Sequence, residues 1–236
     1  MALPKLNTPE YELELPSTGG KIKYRPFLVK EQKLLMMAQE SKEQTNIAET
    51  MSNVISSCTF NTVDTQQTPL FDIEYIFLKV RSKSVGETQQ IRVLCPDDGE
   101  TYGNVTVNLD EIEVQMTEGH TNEINLTDKI KIIMKYPQLK DMRGLDSIDT
   151  TQMEQIFAVM KHCVWEVHDG DKVYNRVDIT DKDIEDFIDS FDNQQLESIL
   201  NFFTTMPKLR HAVKVTNPKT KVESELVLEG LESFLE

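Results

Sequence analysis

Cysteine is scarce and unpaired in this chain: Cys58, Cys95 and Cys163 form an odd set, far apart, with no C-x-x-C pair. That excludes a disulfide framework and a four-cysteine zinc site. Long apolar runs are missing as well, and no stretch approaches the roughly 18 apolar residues of a membrane span. Positive charge is short, with 25 Lys plus Arg against 40 Asp plus Glu and a formal charge of −15. Affinity for phosphate comes from basic side chains, so a nucleic-acid binder is excluded, and so is docking on an anionic membrane surface. The opening Met1-Ala-Leu-Pro-Lys5 lacks the basic region and apolar block of a secretory signal. The expectation is a soluble, cytosolic product. A nucleophile elbow, a Gly-rich dinucleotide loop and a paired-His zinc motif are all absent, so no catalytic residues and no cofactor are expected.

What is present is an ordinary globular composition, 39% apolar and 28% charged over 236 residues, enough for one large core or two smaller ones. The charge is uneven. Residues 1–60 hold seven basic and seven acidic side chains, whereas 141–205 hold five basic and fifteen acidic ones, a net of −10. The chain therefore reads as unlike parts.

Tyr11 to Leu15 and Lys21 to Arg25 alternate with period two around Gly19-Gly20, which predicts a β-hairpin. The Gly-Gly-Lys there lacks the spacer and following Ser/Thr of a phosphate loop. Helices are predicted over Leu28–Gln39, with Leu28, Leu34, Leu35 and Ala38 inward, and over Asn46–Ser56, with Ile47, Met51, Val54 and Ile55 inward. After a loop at Thr59–Thr68 comes the most apolar run, Pro69 to Arg81, with Asp72 as its expected cap and Gly86 as its terminator. It is expected to be a helix buried nearly all round.

Strands follow at Gln90–Leu94 and Asn104–Leu109, then extended or irregular segments at Glu113–Met116 and Ile124–Tyr136, and a linker or loop at Pro137–Ser147. A helix begins near Thr150, and Asp169-Gly170 marks a hairpin between Val164–Val167 and Lys172–Arg176. Thr180 and Asp183 form a capping-box pair for a helix with Ile184, Phe187, Ile188 and Phe191 on one face. Asn193 is expected to cap the next helix, with Leu196, Ile199, Leu200 and Phe203 inward. A last strand pair, His211–Thr216 and Val222–Leu228, turns through Asn217-Pro-Lys-Thr220 before a short helix at Leu231–Leu235.

The expected fold class is α+β. A helical N-terminal lobe with a β-hairpin spans 1–86, a central β-ribbon and linker span 87–145, and an acidic helical lobe ending in a second ribbon spans 146–236. The two ribbons look like repeats of each other. Ile91-Arg-Val-Leu-Cys95-Pro lies over Val213-Lys-Val-Thr-Asn217-Pro, and Val107-Asn-Leu109-Asp-Glu-Ile112 over Leu226-Val-Leu228-Glu-Gly-Leu231.

Several candidate sites have simpler readings. Cys95-Pro-Asp-Asp98 stands where a zinc ribbon carries its first C-x-x-C, but Asp98 fills the second ligand position and Asn217 replaces the cysteine of the other ribbon. One thiolate is too few, and both turns are read as structural. Residues 181–192 space carboxylates like a calcium loop, but Asp186 sits where the sharp turn needs Gly and Asp192 where a bidentate Glu belongs. His168-Asp169-Gly-Asp171 is read as turn chemistry, and His162-Cys163 as a buried thiol beside an unrelated histidine. No metal site is expected. Met36, Met37 and Phe202 are read as ordinary core.

Three segments carry a resemblance. Phe71-Asp-Ile-Glu-Tyr-Ile-Phe-Leu-Lys-Val-Arg-Ser-Lys-Ser-Val-Gly86 resembles the central segment of a baseplate hub and hub assembly protein family of T4-like contractile-tailed bacteriophages. Leu13-Glu-Leu-Pro-Ser-Thr-Gly19 with Tyr24-Arg-Pro-Phe-Leu-Val-Lys-Glu31 is similar, as is Phe202-Phe-Thr-Thr-Met-Pro-Lys-Leu209 with Leu228-Glu-Gly-Leu-Glu-Ser-Phe234. The resemblance implies a late viral protein, without enzymatic activity, that builds the tail baseplate hub as a subunit or as a chaperone absent from the virion. Its implied partners are other hub or tail proteins, with an oligomer of the chain left open; the charge balance adds that neither nucleic acid nor membrane is expected. Its implied location is the host cytoplasm during assembly and the virion tail. Metal binding or hydrolysis is the competing class. The residues expected to face partners are Asp183, Asp186 and Asp189 on the acidic lobe, and Asp97, Asp98 and Lys219 on the ribbon tips.

Overall fold

In a computed structural model of the chain, residues 6–41, 44–142 and 152–234 are described. The architecture is α+β, and the chain divides into two compact units. The first comprises Met1–Gln115 with Lys208–Glu236, and the second is Met116–Pro207. The final ribbon, expected with the acidic helices, therefore belongs with the N-terminal residues.

The first unit opens with the hairpin β1 (Tyr11–Glu14) and β2 (Lys21–Tyr24), in which Leu13 pairs with Ile22. Helices α1 (Val29–Ser41), α2 (Gln44–Cys58) and α3 (Leu70–Val85) follow. Helix α3 is buried on nearly every side, including Ile73, Ile76, Leu78 and Val80. Asp72 does not cap it. Pro69 occupies the cap position, and the fully buried Asp72 carboxylate instead accepts hydrogen bonds from the Ser17 amide, at 3.2 Å, and the Ser17 hydroxyl. This ties the hairpin turn to the central helix. Helix α1 is less buried than its apolar content suggested. Leu35 and Ala38 face the core, but Leu28, Leu34, Met36 and Met37 are exposed, the two methionines at 56% and 67%. The core reading of Met36 and Met37 is thus overturned. Ile47 on α2 is exposed as well.

Strands β3 (Thr88–Leu94) and β4 (Tyr102–Asn108) form a ribbon, and β5 (Glu113–Gln115) is a single short strand. The second unit is an antiparallel sheet of β6 (Glu123–Asn125), β7 (Ile130–Met134), β8 (Val164–Asp169) and β9 (Lys172–Asn175), in that order. Helix α4 (Gln152–Cys163) lies between β7 and β8 in sequence, and α5 (Asp181–Asp189) and α6 (Asn193–Thr205) follow β9. The expected linker is partly a 3-10 turn at Leu139–Met142; its residues 143–147, and Thr150 where the next helix was expected to begin, lie outside the described residues. The sheet packs Ile132 and Met134 against Met160, Ile184, Ile199 and Phe202. Phe202 is core, as expected. Helix α5 starts with the Thr180–Asp183 capping box, while α6 is capped by Asp192, one residue earlier than Asn193, because Asp192 accepts from the amides of Gln194 and Gln195.

The chain then returns to the first unit. Strand β10 (Lys208–Thr216) pairs with β11 (Glu223–Glu229) on one side and with β5 on the other, Leu209 opposite Val114. The two ribbons repeat each other closely. Each has seven pairs, Thr88↔Asn108 through Leu94↔Tyr102 and Arg210↔Glu229 through Thr216↔Glu223. The first strands correspond by 122 positions (88 to 210) and the second by 121 (108 to 229), since the second turn is one residue shorter. Val107 therefore matches Leu228 rather than Leu226. The sequence overlay of the second strands was slipped by two residues, which an alternating pattern cannot reveal because such a slip keeps every side chain on its face.

Candidate functional site

The ribbon tips come together in the first unit. Cys95 and Asn217 occupy matching positions, and both are fully buried. The Cys95 amide donates to the Thr101 carbonyl at 2.8 Å, and the Asn217 amide to the Val222 carbonyl at 2.9 Å. Gly99 and Lys221, four residues on from each, donate back to those two residues, with φ of +65° and +67°. The backbone of the two turns is therefore alike, including a left-handed residue that is Gly in one and Lys in the other.

Hydrogen bonds occupy the place of ligands. Asn217 Nδ2 donates to both Asp97 carboxylate oxygens at 3.0 and 3.1 Å, and the Thr220 hydroxyl donates to Asp97 at 2.5 Å. Asp98 accepts from the amides of Glu100 and Thr101 and from the Thr101 hydroxyl at 2.6 Å. The donors around Asp97 hold its carboxyl below the usual range, led by the Thr220 hydroxyl. Burial and the neighbouring Asp97 and Asp98 charges push the Cys95 thiol up, which disfavours the thiolate a metal would need. Among the described residues no group of three or more His, Cys, Asp or Glu side chains is placed to hold a metal ion.

Of the partner-facing candidates, Asp97, Asp98 and Lys219 share these tips. Asp97 and Asp98 are engaged within the chain, and Lys219 is exposed. Asp183, Asp186 and Asp189 share helix α5 in the second unit, all exposed. Asp183 is engaged by the amide and hydroxyl of Thr180, which hold its carboxyl below the usual range.

The cysteines do not build a nucleophile. Cys163 is fully buried while His162 is exposed, so the neighbours point apart. Burial raises the Cys163 thiol strongly and pushes Cys58 up to about 11. His168 bonds Glu166 at 2.7 Å rather than either aspartate of its hairpin turn.

Two features escaped sequence reasoning. Arg25 and Glu31 form an ion pair of 3.0 Å that is almost wholly buried, and Glu31 also accepts from the Leu28 amide at 2.8 Å and the Ser57 hydroxyl at 2.9 Å. The second feature is a cleft of about 450 Å³ in the second unit, between the sheet and α5. Ile130, Val167, Tyr174, Ile179, Ile184 and Phe187 line it together with three aspartates, Asp169, Asp178 and Asp183. Near it in sequence, Trp165, Val173 and Val177 are exposed, Val177 at 84%.

A family model for T4 bacteriophage base plate protein matches residues 8–236. The chain belongs to this family. No curated protein and no solved structure matches it. Among the described residues no helix is long and apolar enough to cross a membrane.

Proposed function

We propose that the protein is a non-enzymatic component of the tail baseplate hub, working through contacts with other hub or tail proteins. Membership of the base plate family over residues 8–236 is the observation that carries this reading. Exposed Val29, Met36 and Met37 on α1, and Trp165, Val173 and Val177 around β9, support a contact role, since apolar side chains of this kind anchor protein interfaces. Asp186, Asp189 and Lys219 are proposed as charged contacts that select the partner. The protein is made and assembled in the host cytoplasm and is then carried in the virion tail. Mass spectrometry of purified virions tests the structural role: the chain is expected at a fixed ratio to the other baseplate proteins. Its loss from finished particles, with retention in assembly intermediates, would instead support a transient assembly chaperone.

A further inference from the structure

The second unit places a cleft beside a sheet edge. Strand β9 is the outer strand of its sheet, all four of its residues are exposed, and among the described residues no further strand pairs with it. Natural edges of this kind are usually blunted by shortness, charge, proline or a bulge; β9 is short and opens with Lys172, but Val173 and Tyr174 at its centre supply neither charge, proline nor a bulge. Gly170-Asp171 is a two-residue turn, so the pair that closes it, Asp169 and Lys172, exchanges hydrogen bonds. By the alternation of an antiparallel ladder Val167 and Tyr174 do the same, and the N–H and C=O of Val173 point away from β8. The Tyr174 side chain shares the face of Val167 and lines the cleft opposite Ile184 and Phe187. Asp169, Asp178 and Asp183 line the same cleft, the Asp183 carboxylate already accepting from Thr180, and the nearby Arg176 is held by Asp181.

We propose that β9 and this cleft receive an extended segment of another baseplate protein in which apolar residues alternate with lysine or arginine. The inference deepens, and rests on, the contact role proposed above. The free edge calls for an extended main chain that adds as a fifth strand. The apolar cleft on one face calls for an apolar residue at every second position. The alternate residues of such a segment face the other side of the sheet, where the net charge of −10 over 141–205 calls for basic side chains and disfavours acidic ones.

The test is a titration of the ¹⁵N-labelled full chain with the synthetic peptide acetyl-Lys-Val-Arg-Leu-Lys-Val-Lys-amide, and with its counterpart carrying Glu at each basic position. The expected result is saturable amide shifts centred on residues 172–175 and 183–187 with the basic peptide, at least tenfold tighter than with the acidic one. Val173→Pro removes the outward N–H while keeping the bonds to β8, and Tyr174→Ala removes an apolar wall of the cleft. Each is expected to weaken binding at least tenfold, with the spectrum elsewhere unchanged. Shifts scattered over the acidic surface and equal in Val173→Pro, or no binding, would overturn the inference. Concentration-dependent self-association abolished by Val173→Pro would also overturn it, by giving the edge to a second copy. A Val173→Pro chain that captures the same baseplate proteins from infected cells as the wild type would overturn the β9 site and leave the contact role standing. A wild-type chain that captures none would overturn the contact role itself.

Discussion

Glu31 shows how much of the first unit hangs on one buried side chain. Burial pushes its carboxyl up, but the Arg25 guanidinium, the Leu28 amide and the Ser57 hydroxyl outweigh this and hold it at about 2. These partners lie on three segments: Arg25 just after β2, Leu28 just before α1 and Ser57 near the end of α2. Removing one member of a buried pair leaves the other uncompensated, so Glu31→Gln is expected to destabilise the protein by about 3 kcal/mol in urea unfolding. The pH sign follows from the depressed value. The unfolded carboxyl titrates near its ordinary 4.5, so its stabilisation is complete above that pH and is lost as pH falls toward 2. Wild type is therefore expected to lose stability between pH 4.5 and 2 more steeply than Glu31→Gln. The sequence placed a helix start at Leu28 but had no means to see Glu31 as buried, because its partners Arg25 and Ser57 lie 6 and 26 residues away. Asp72 was misread for the same reason: its spacing fits a cap, while its partner Ser17 is 55 residues distant. Thr180 with Asp183 was legible because the capping box is complete within four residues.

At the scale of elements, the ribbons were recognisable as repeats, yet their alignment and their packing were not. Alternation places side chains on a face without fixing which pair is opposite which, and the structure moved the second-strand overlay by two positions. The pairing of β5 with β10 was invisible too, since a three-residue strand has no periodicity to read. Two substitutions probe the ribbon tips. A Cβ on Gly103 would stand 2.3 Å from Val215 Cγ2 and 3.3 Å from the Thr216 carbonyl, so Gly103→Ala is expected to cost about 1–3 kcal/mol in chemical denaturation by forcing the ribbons apart. Lys221 adopts the left-handed conformation that Gly99 occupies in the other ribbon. Lys221→Gly is expected to be neutral or stabilising, by up to about 1 kcal/mol in the same measurement. Equal losses from both changes would contradict the proposed equivalence of the turns.

At the scale of the whole molecule, two hydrophobic cores stand in place of the three regions expected from the sequence. One joins α3 to both ribbons, and the other joins the four-stranded sheet to α4, α5 and α6. The second unit is a single insertion between β5 and β10, so residues 116–207 produced alone are expected to unfold cooperatively in thermal melts monitored by circular dichroism. A molten, non-cooperative fragment would contradict that division. The α+β class and most helices were legible because local periodicity carries them. The grouping of the final ribbon with the N-terminal residues was not, because it depends on contacts formed across the whole insertion. Contacts with other hub or tail proteins are probed by affinity purification of the tagged full chain from infected cells, with quantitative mass spectrometry of what accompanies it. Hub or tail proteins are expected to be enriched over an untagged control; recovery of the chain with no baseplate or tail protein enriched would rule out the contact role.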